Sequence, residues 1–211
     1  MGDIEKFLKK ESVNRKLLEY GLFSEKLQSI FQSYKYGKWI KKVGLNMYKE
    51  RSFSCVRYSL TRNNNAPRII EIPHPIAYYR ICEEIKNNWI EIISKIGEID
   101  DYVDTSMVIP RPNNLNKRLV SMKSYDKRDD EKFLILDKSF GKKFLVQIDI
   151  ANCYPSIYSH SIPWALVGHQ VAKDNMNDDS KWYNKLDFAI RSMQRNETIG
   201  IPIGPDTSSL I

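Results

Sequence analysis

Cysteine is scarce in this 211-residue chain, and the three present, Cys55, Cys82 and Cys153, stand far apart. That spacing fits neither a disulfide framework nor a zinc site. Long apolar runs are also missing, since no stretch approaches the roughly 18 uninterrupted apolar residues of a membrane span. The opening MGDIEKFLKKES lacks the apolar core of a secretory signal. Glu5 and Lys6 read as ordinary helix surface, which argues against a lipidated Gly2. No internal repeat and no low-complexity tract occurs. These absences set the expectation of a cytoplasmic protein with no membrane contact. A hydrophobic share of 42% is enough to build a core and excludes disorder as a class.

Acidic residues are outnumbered, giving a net charge of +7. The excess is uneven: +5 over residues 1–50, +1 over 51–100, +2 over 101–150 and −1 over 151–211. A basic front and a slightly acidic end suit a chain that holds a polyanion with one part and a cation with another. Many cytoplasmic domains reach this balance without touching nucleic acid, so charge alone leaves both readings open.

Periodicity gives a first map. Ile4, Phe7 and Leu8 have helical spacing, as do Leu27, Ile30, Phe31 and Tyr34 after a helix start at Ser24-Glu25. Residues 1–50 are therefore predicted to be two or three basic amphipathic helices. Residues 53–60 alternate and are rich in strand formers. With turn chemistry over 61–67 and a second strand over 68–72, they predict a β-hairpin flanked at its tip by Arg62 and Arg68. Pro73-His74-Pro75 ends it. A long helix over 76–96 follows, with Tyr79, Cys82, Ile85, Trp89 and Ile93 on one face.

Residues 100–132 read as polar and irregular. Phe133–Leu136 and Phe144–Ile148 are strand candidates, the second short, apolar and bounded by lysines as a strand buried on both faces would be. A helix beginning near Pro163, a polar loop over 173–181 and a helix over 182–195 complete the map. At the end, residues 200–205 form a turn and Asp206–Ser208 reads as a helix cap.

Asp149 closes the apolar run, where a carboxylate belongs only if it is paired or holds a metal. From the strand pattern alone, a metal ligand and a strand-end cap are equally good readings.

Three blocks carry a resemblance. They are PRIIEIPHP at 67–75, IDIANCYPSIYSHSIPWAL at 148–166 and GIPIGPDTS at 200–208. In this order they resemble the fingers motif and the first two palm motifs of reverse transcriptases. The long middle block narrows the likeness to the bacterial defence-associated and abortive-infection enzymes. The likeness covers roughly residues 51–211. It implies an α+β, right-hand polymerase fold, with an N-terminal helical segment (1–50), fingers (51–135) and a first part of the palm (136–211).

The resemblance also implies roles. Asp149, with the Ile150 carbonyl, would hold Mg2+, for which carboxylate and carbonyl oxygens are suitable ligands. Tyr154 would lie under the incoming sugar and collide with a 2′-hydroxyl; the plain alternative is a core tyrosine. Asn152 and Cys153 would offer backbone N–H groups to the triphosphate. Arg68, and less surely Arg62, would reach over the triphosphate with forked donors. Pro202, Ile203 and Gly204 would line the nucleotide and template pocket. Ile203 stands where the wider polymerase pattern often has glutamine, which puts templated fidelity in doubt. Lys117, Arg118, Lys123, Lys127 and Arg128 read equally as template-phosphate contacts and as loop solvation, with Asp126, Asp129 and Asp130 among them.

A two-metal site needs further carboxylates, which the family supplies from an aromatic-x-Asp-Asp hairpin. The pairs here, Asp100-Asp101, Asp129-Asp130 and Asp178-Asp179, all precede the third block and none lies between apolar strands. The expectation is therefore the front part of a longer RNA-directed DNA polymerase, inactive by itself. Implied partners are deoxynucleoside triphosphates and RNA and/or DNA, with synthesis without a template or from a protein primer, and a homo-oligomer, left open. The competing readings are a non-catalytic nucleic-acid-binding module of the same fold and a retron- or intron-type reverse transcriptase.

Overall fold

Local signals start most of the elements, and one helix gathers them. A computed structural model describes residues 10–43, 51–61, 67–100, 118, 119, 133, 136, 137, 139–144, 146 and 150–211, with main chain alone at 10, 11, 41 and 96–100. In chain order, helix α1 (Lys10–Lys16) runs into a wider π-helical turn at Leu17–Gly21. Helix α2 (Tyr36–Val43) follows, then strands β1 (Val56–Leu60) and β2 (Arg68–Ile72). Helices α3 (Pro75–Asn87) and α4 (Trp89–Asp100) come next. The C-terminal part holds α5 (Cys153–Ser156), α6 (Ser161–Val167), α7 (His169–Asp174), α8 (Trp182–Ser192) and a 3-10 turn at Asp206–Ser209. The architecture is mixed helix and strand, α+β in class. Among the described residues no helix is long and apolar enough to cross a membrane.

The predicted hairpin is present. Its strands pair antiparallel, with Val56 opposite Ile72 and Leu60 opposite Arg68. The first strand starts at Val56 rather than Phe53, because Phe53 bonds elsewhere: its N–H donates to the Ser192 carbonyl and its own carbonyl accepts from Arg195 N–H, both at 2.8 Å. Arg62 and the rest of the tip (62–66) lie outside the described residues.

Helix α3 is the centre of the core. Pro75 occupies its first turn, where the missing N–H costs nothing, and His74 Nδ1 accepts the Ile76 N–H at 3.3 Å as the N-cap. Ile76, Ala77, Tyr78, Ile81, Cys82 and Ile85 are all buried. The predicted single helix is two, broken at Asn88, whose side-chain amide turns back to the Glu84 carbonyl at 2.8 Å. Val13, Leu17, Leu18, Leu22 and Ile40 join the same core, as do Leu186, Ile190 and Met193 of the C-terminal part. The N-terminal residues thus share one core with the rest. Tyr78 is fully buried and donates its hydroxyl to the Leu17 carbonyl at 3.0 Å; desolvation pushes its phenol well above the usual range, so it remains a donor.

Other expectations change. Leu27, Ile30, Phe31 and Tyr34 lie in turns, not on a helix. Their rings reach different neighbours, Phe31 to Phe23 and Tyr58, Tyr34 to Tyr20, so no single helical face serves them. Ile4, Phe7 and Leu8 fall outside the described residues. Phe133 and Leu136 are helical, against the strand predicted over 133–136. Phe144 and Val146 are in no strand and are 87% and 80% exposed, against the expectation of a strand buried on both faces. Residues 169–174, read partly as loop, form α7. Helix α8 ends at Ser192, three residues early. Its buried Asp187 accepts from Arg191 Nε and faces His160 Nδ1, each at 3.0 Å, which ties α8 to the start of α6.

The Tyr78 bond is testable. Tyr78→Phe leaves the Leu17 carbonyl without its partner, which costs about 1–3 kcal/mol. A lower urea midpoint at unchanged slope is expected. An unchanged midpoint would show that the π-helical turn does not rest on α3 as described.

Candidate functional site

The third sequence block joins the other two by backbone hydrogen bonds. Glu71 N–H donates to the Ile203 carbonyl at 2.8 Å, linking β2 to the segment 198–206. Ile201 N–H donates to the Tyr154 carbonyl at 3.0 Å, Gly200 N–H to the Ile157 carbonyl at 2.7 Å, and Ser159 N–H to the Thr198 carbonyl at 2.8 Å. Tyr158 and Ile199 pair as an antiparallel bridge. The Glu71 carboxylate also accepts the Ile203 N–H at 3.4 Å and pairs with Arg57 at 3.2 Å. Block one is thus bonded to block three, and block three to block two.

Two glycines make this path possible. Gly200 (φ +93) passes the main chain of Pro155, whose carbonyl oxygen would lie 3.2 Å from an added Cβ. Gly204 (φ +127) is tighter, since a Cβ there would meet Ile70 Cγ2 at 2.9 Å and Ser24 Cβ at 3.1 Å. Both positive φ values favour glycine. Gln194 fixes the approach by donating its amide to the Ile199 and Gly200 carbonyls.

Strand alternation then sends β2 side chains to two faces. Ile69 and Glu71 line one cleft of about 350 Å³, together with Arg57, Gln194 and Ile199. Arg68 and Ile70 line the other, together with Tyr154, Ile203 and Gly204. That second cleft holds about 120 Å³, less than the roughly 300–1,000 Å³ of sites that enclose a small ligand. It is the size of a notch for one charged group, with the rest of a ligand lying outside it. A third cavity of about 310 Å³, lined by Ile85, Ile92, Ile162, Leu186 and Leu210, is apolar and offers an anion only Lys95.

Four residues predicted for the nucleotide site, Arg68, Tyr154, Ile203 and Gly204, therefore meet in one cleft. Arg68 is in no ion pair among the described residues, and it lines the cleft together with Glu25 and Asp206. Tyr154 is half-buried, packed against the core and also facing the cleft. Ile203 forms the wall. Pro202 is buried behind it, outside the cleft lining. Asn152 takes the left-handed conformation (φ 53, ψ 41) that asparagine tolerates, just before α5; it and Cys153 are exposed and do not line the cleft. Ile150 is 71% exposed and also stands apart from it.

Asp149 lies outside the described residues, as do Lys117, Lys123, Lys127 and Arg128. Among the described residues no three His, Cys, Asp or Glu side chains come together as a metal-ligand set. The fit of Mg2+ rests on the chemistry of the Asp149 carboxylate and the Ile150 carbonyl.

Arg118 is not a free phosphate contact. Its guanidinium pairs with Asp206 and donates to the Phe23 carbonyl at 2.7 Å. Asp206, read as a helix cap, is the first residue of the 3-10 turn, and its carboxylate pairs with Arg118. Ser24, Glu25 and Lys26 also line the cleft, and sequence reasoning gave them no role in a site. Their only signal was the basic excess of the first 50 residues. No protein-family model matches the chain, and no curated protein matches it.

The close packing at Gly204 makes a prediction. Gly204→Ala should destabilise the fold by about 1–3 kcal/mol through backbone strain and contact. It should cost more than Gly168→Ala, which has positive φ (+87) but no atom within 4 Å of the added Cβ. Equal urea midpoints for the two variants would contradict the contact of Gly204 with Ile70 and Ser24.

Proposed function

We propose that this chain is the fingers and first part of the palm of an RNA-directed DNA polymerase of the bacterial anti-phage defence class, and that the Arg68 cleft receives part of a deoxynucleoside triphosphate. The supporting observation is the meeting of three blocks in one cleft, with an arginine and a half-buried tyrosine in its lining. Residues 68, 154 and 203 are far apart in sequence, and a polymerase-like reading requires them to be neighbours.

In this reading Arg68 binds the triphosphate, since a guanidinium offers permanent charge and forked donors to phosphate oxygens. Tyr154, fixed by its carbonyl bond to Ile201, places a ring where it meets the sugar and excludes a 2′-hydroxyl. Ile203 and Gly204 supply a flat, apolar wall that cannot hydrogen-bond a ribose. Asp149 and the Ile150 carbonyl would hold Mg2+. A metal held there would supply the positive charge that phosphoryl transfer needs. Among the described residues no further carboxylates gather into such a centre, and in this reading the chain binds nucleotide without joining it to a primer.

Binding of dATP and ATP, each with and without Mg2+, tests the proposal. The chain should prefer the deoxynucleotide and bind it more tightly with Mg2+. Arg68→Gln should weaken both nucleotides roughly tenfold or more, the scale of a lost charged hydrogen bond. Tyr154→Ala should narrow the sugar preference, and Asp149→Asn should remove the Mg2+ dependence. A chain that binds neither nucleotide, or whose sugar preference survives Tyr154→Ala, would make it a non-catalytic module instead.

A further inference from the structure

The N-terminal segment supplies a charge to the same cleft. Ser24 Cβ lies against Gly204, and Ser24 organises a tight turn: its Oγ accepts the Lys26 N–H at 3.2 Å and its carbonyl accepts the Leu27 N–H at 3.1 Å. The turn is fixed from the other side by Arg118, which bridges the Phe23 carbonyl and the Asp206 carboxylate. Lys26 therefore lines the cleft from a docked backbone, as Arg68 does from the hairpin, with Glu25 and Asp206 also in the lining. Its contact with Glu25 is 3.9 Å, between side chains 43% and 33% exposed. A pair that long and that wet is weak and exchanges easily for a better acceptor. Arg118, by contrast, is committed to Asp206.

The geometry points to Lys26 as a second phosphate-binding residue, which with Arg68 grips the terminal phosphates of a triphosphate between the N-terminal segment and the hairpin. This inference rests on the nucleotide reading of the Arg68 cleft. It gives the N-terminal segment a part in substrate binding, and it suits the cleft's small volume: the phosphates lie between Lys26 and Arg68, with the sugar at the mouth against Tyr154. A lysine suits this place as a compact point charge with rotatable donors beside the fixed fork of an arginine.

Inorganic triphosphate is the probe, since it carries the charge and nothing else of the ligand. Its affinity, and that of dATP, is measured by calorimetry on the full chain and on Lys26→Gln, Arg68→Gln and a control, Lys173→Gln, on exposed α7. Lys26→Gln should weaken both ligands by a similar factor, roughly fivefold, as expected for a partly exposed charge contact. Lys173→Gln should change neither, and the urea midpoint of Lys26→Gln should equal that of the wild type. If Arg68→Gln weakens binding and Lys26→Gln does not, the inference fails and the nucleotide reading stands. The inference also fails if Lys173→Gln acts as strongly as Lys26→Gln, which would mean only long-range charge. If the wild type binds neither probe, both fail together.

Discussion

The segment 198–206 has to lie against two partners at once, and most of the structure's functional geometry follows from that. On one side its backbone bonds to β2 through Glu71, and on the other to residues 154–159. A main chain can serve two neighbours this closely only where side chains leave room, which is why Gly200 and Gly204 stand at the points of nearest approach. Each bond is worth little alone, about 0.5–1.5 kcal/mol net. Together they fix the spacing between Arg68, Tyr154 and Ile203, which no contact within any one block could set.

Packing beneath this splice explains why the N-terminal residues are part of it. Tyr78 on α3 holds the π-helical turn at Leu17, and that turn leads directly to Phe23 and Ser24. Arg118 then closes the circuit by bonding Phe23 to Asp206, in the third block. Removing one partner of such a partly buried pair leaves a charge without compensation, a larger loss than the pair's own net worth. The Arg118–Asp206 pair is therefore a fastener of the cleft that Arg68 and Lys26 also line.

Local chemistry was legible in the sequence, and tertiary choice was not. The hairpin showed itself through alternation between turn residues, and α3 through Pro75 with apolar residues three and four apart. Block three was read as a turn, and its glycines proved to be the reason it can bend. The segment 24–34 misled because Leu27, Ile30, Phe31 and Tyr34 have helical spacing, yet Phe31 and Tyr34 each find an aromatic partner in a different place. Spacing reports what a helix would do with those residues, not which neighbours compete for them. Phe144 and Val146 misled for a related reason, since a short apolar run does not say what covers it. Of the cleft lining, Arg68, Tyr154, Ile203 and Gly204 could be named in advance from the resemblance. Lys26 and Ser24 could not, because their place in it depends on a docking between segments far apart in the sequence.

Backbone hydrogen exchange tests the central claim, that 198–206 bonds the three blocks into one unit. The amides of Glu71, Ser159, Gly200 and Ile201 should be protected and should share one opening free energy, since losing the splice releases all four. Fast exchange at Ser159, Gly200 and Ile201, while the amides inside α3 stay protected, would contradict it and leave the cleft without its frame.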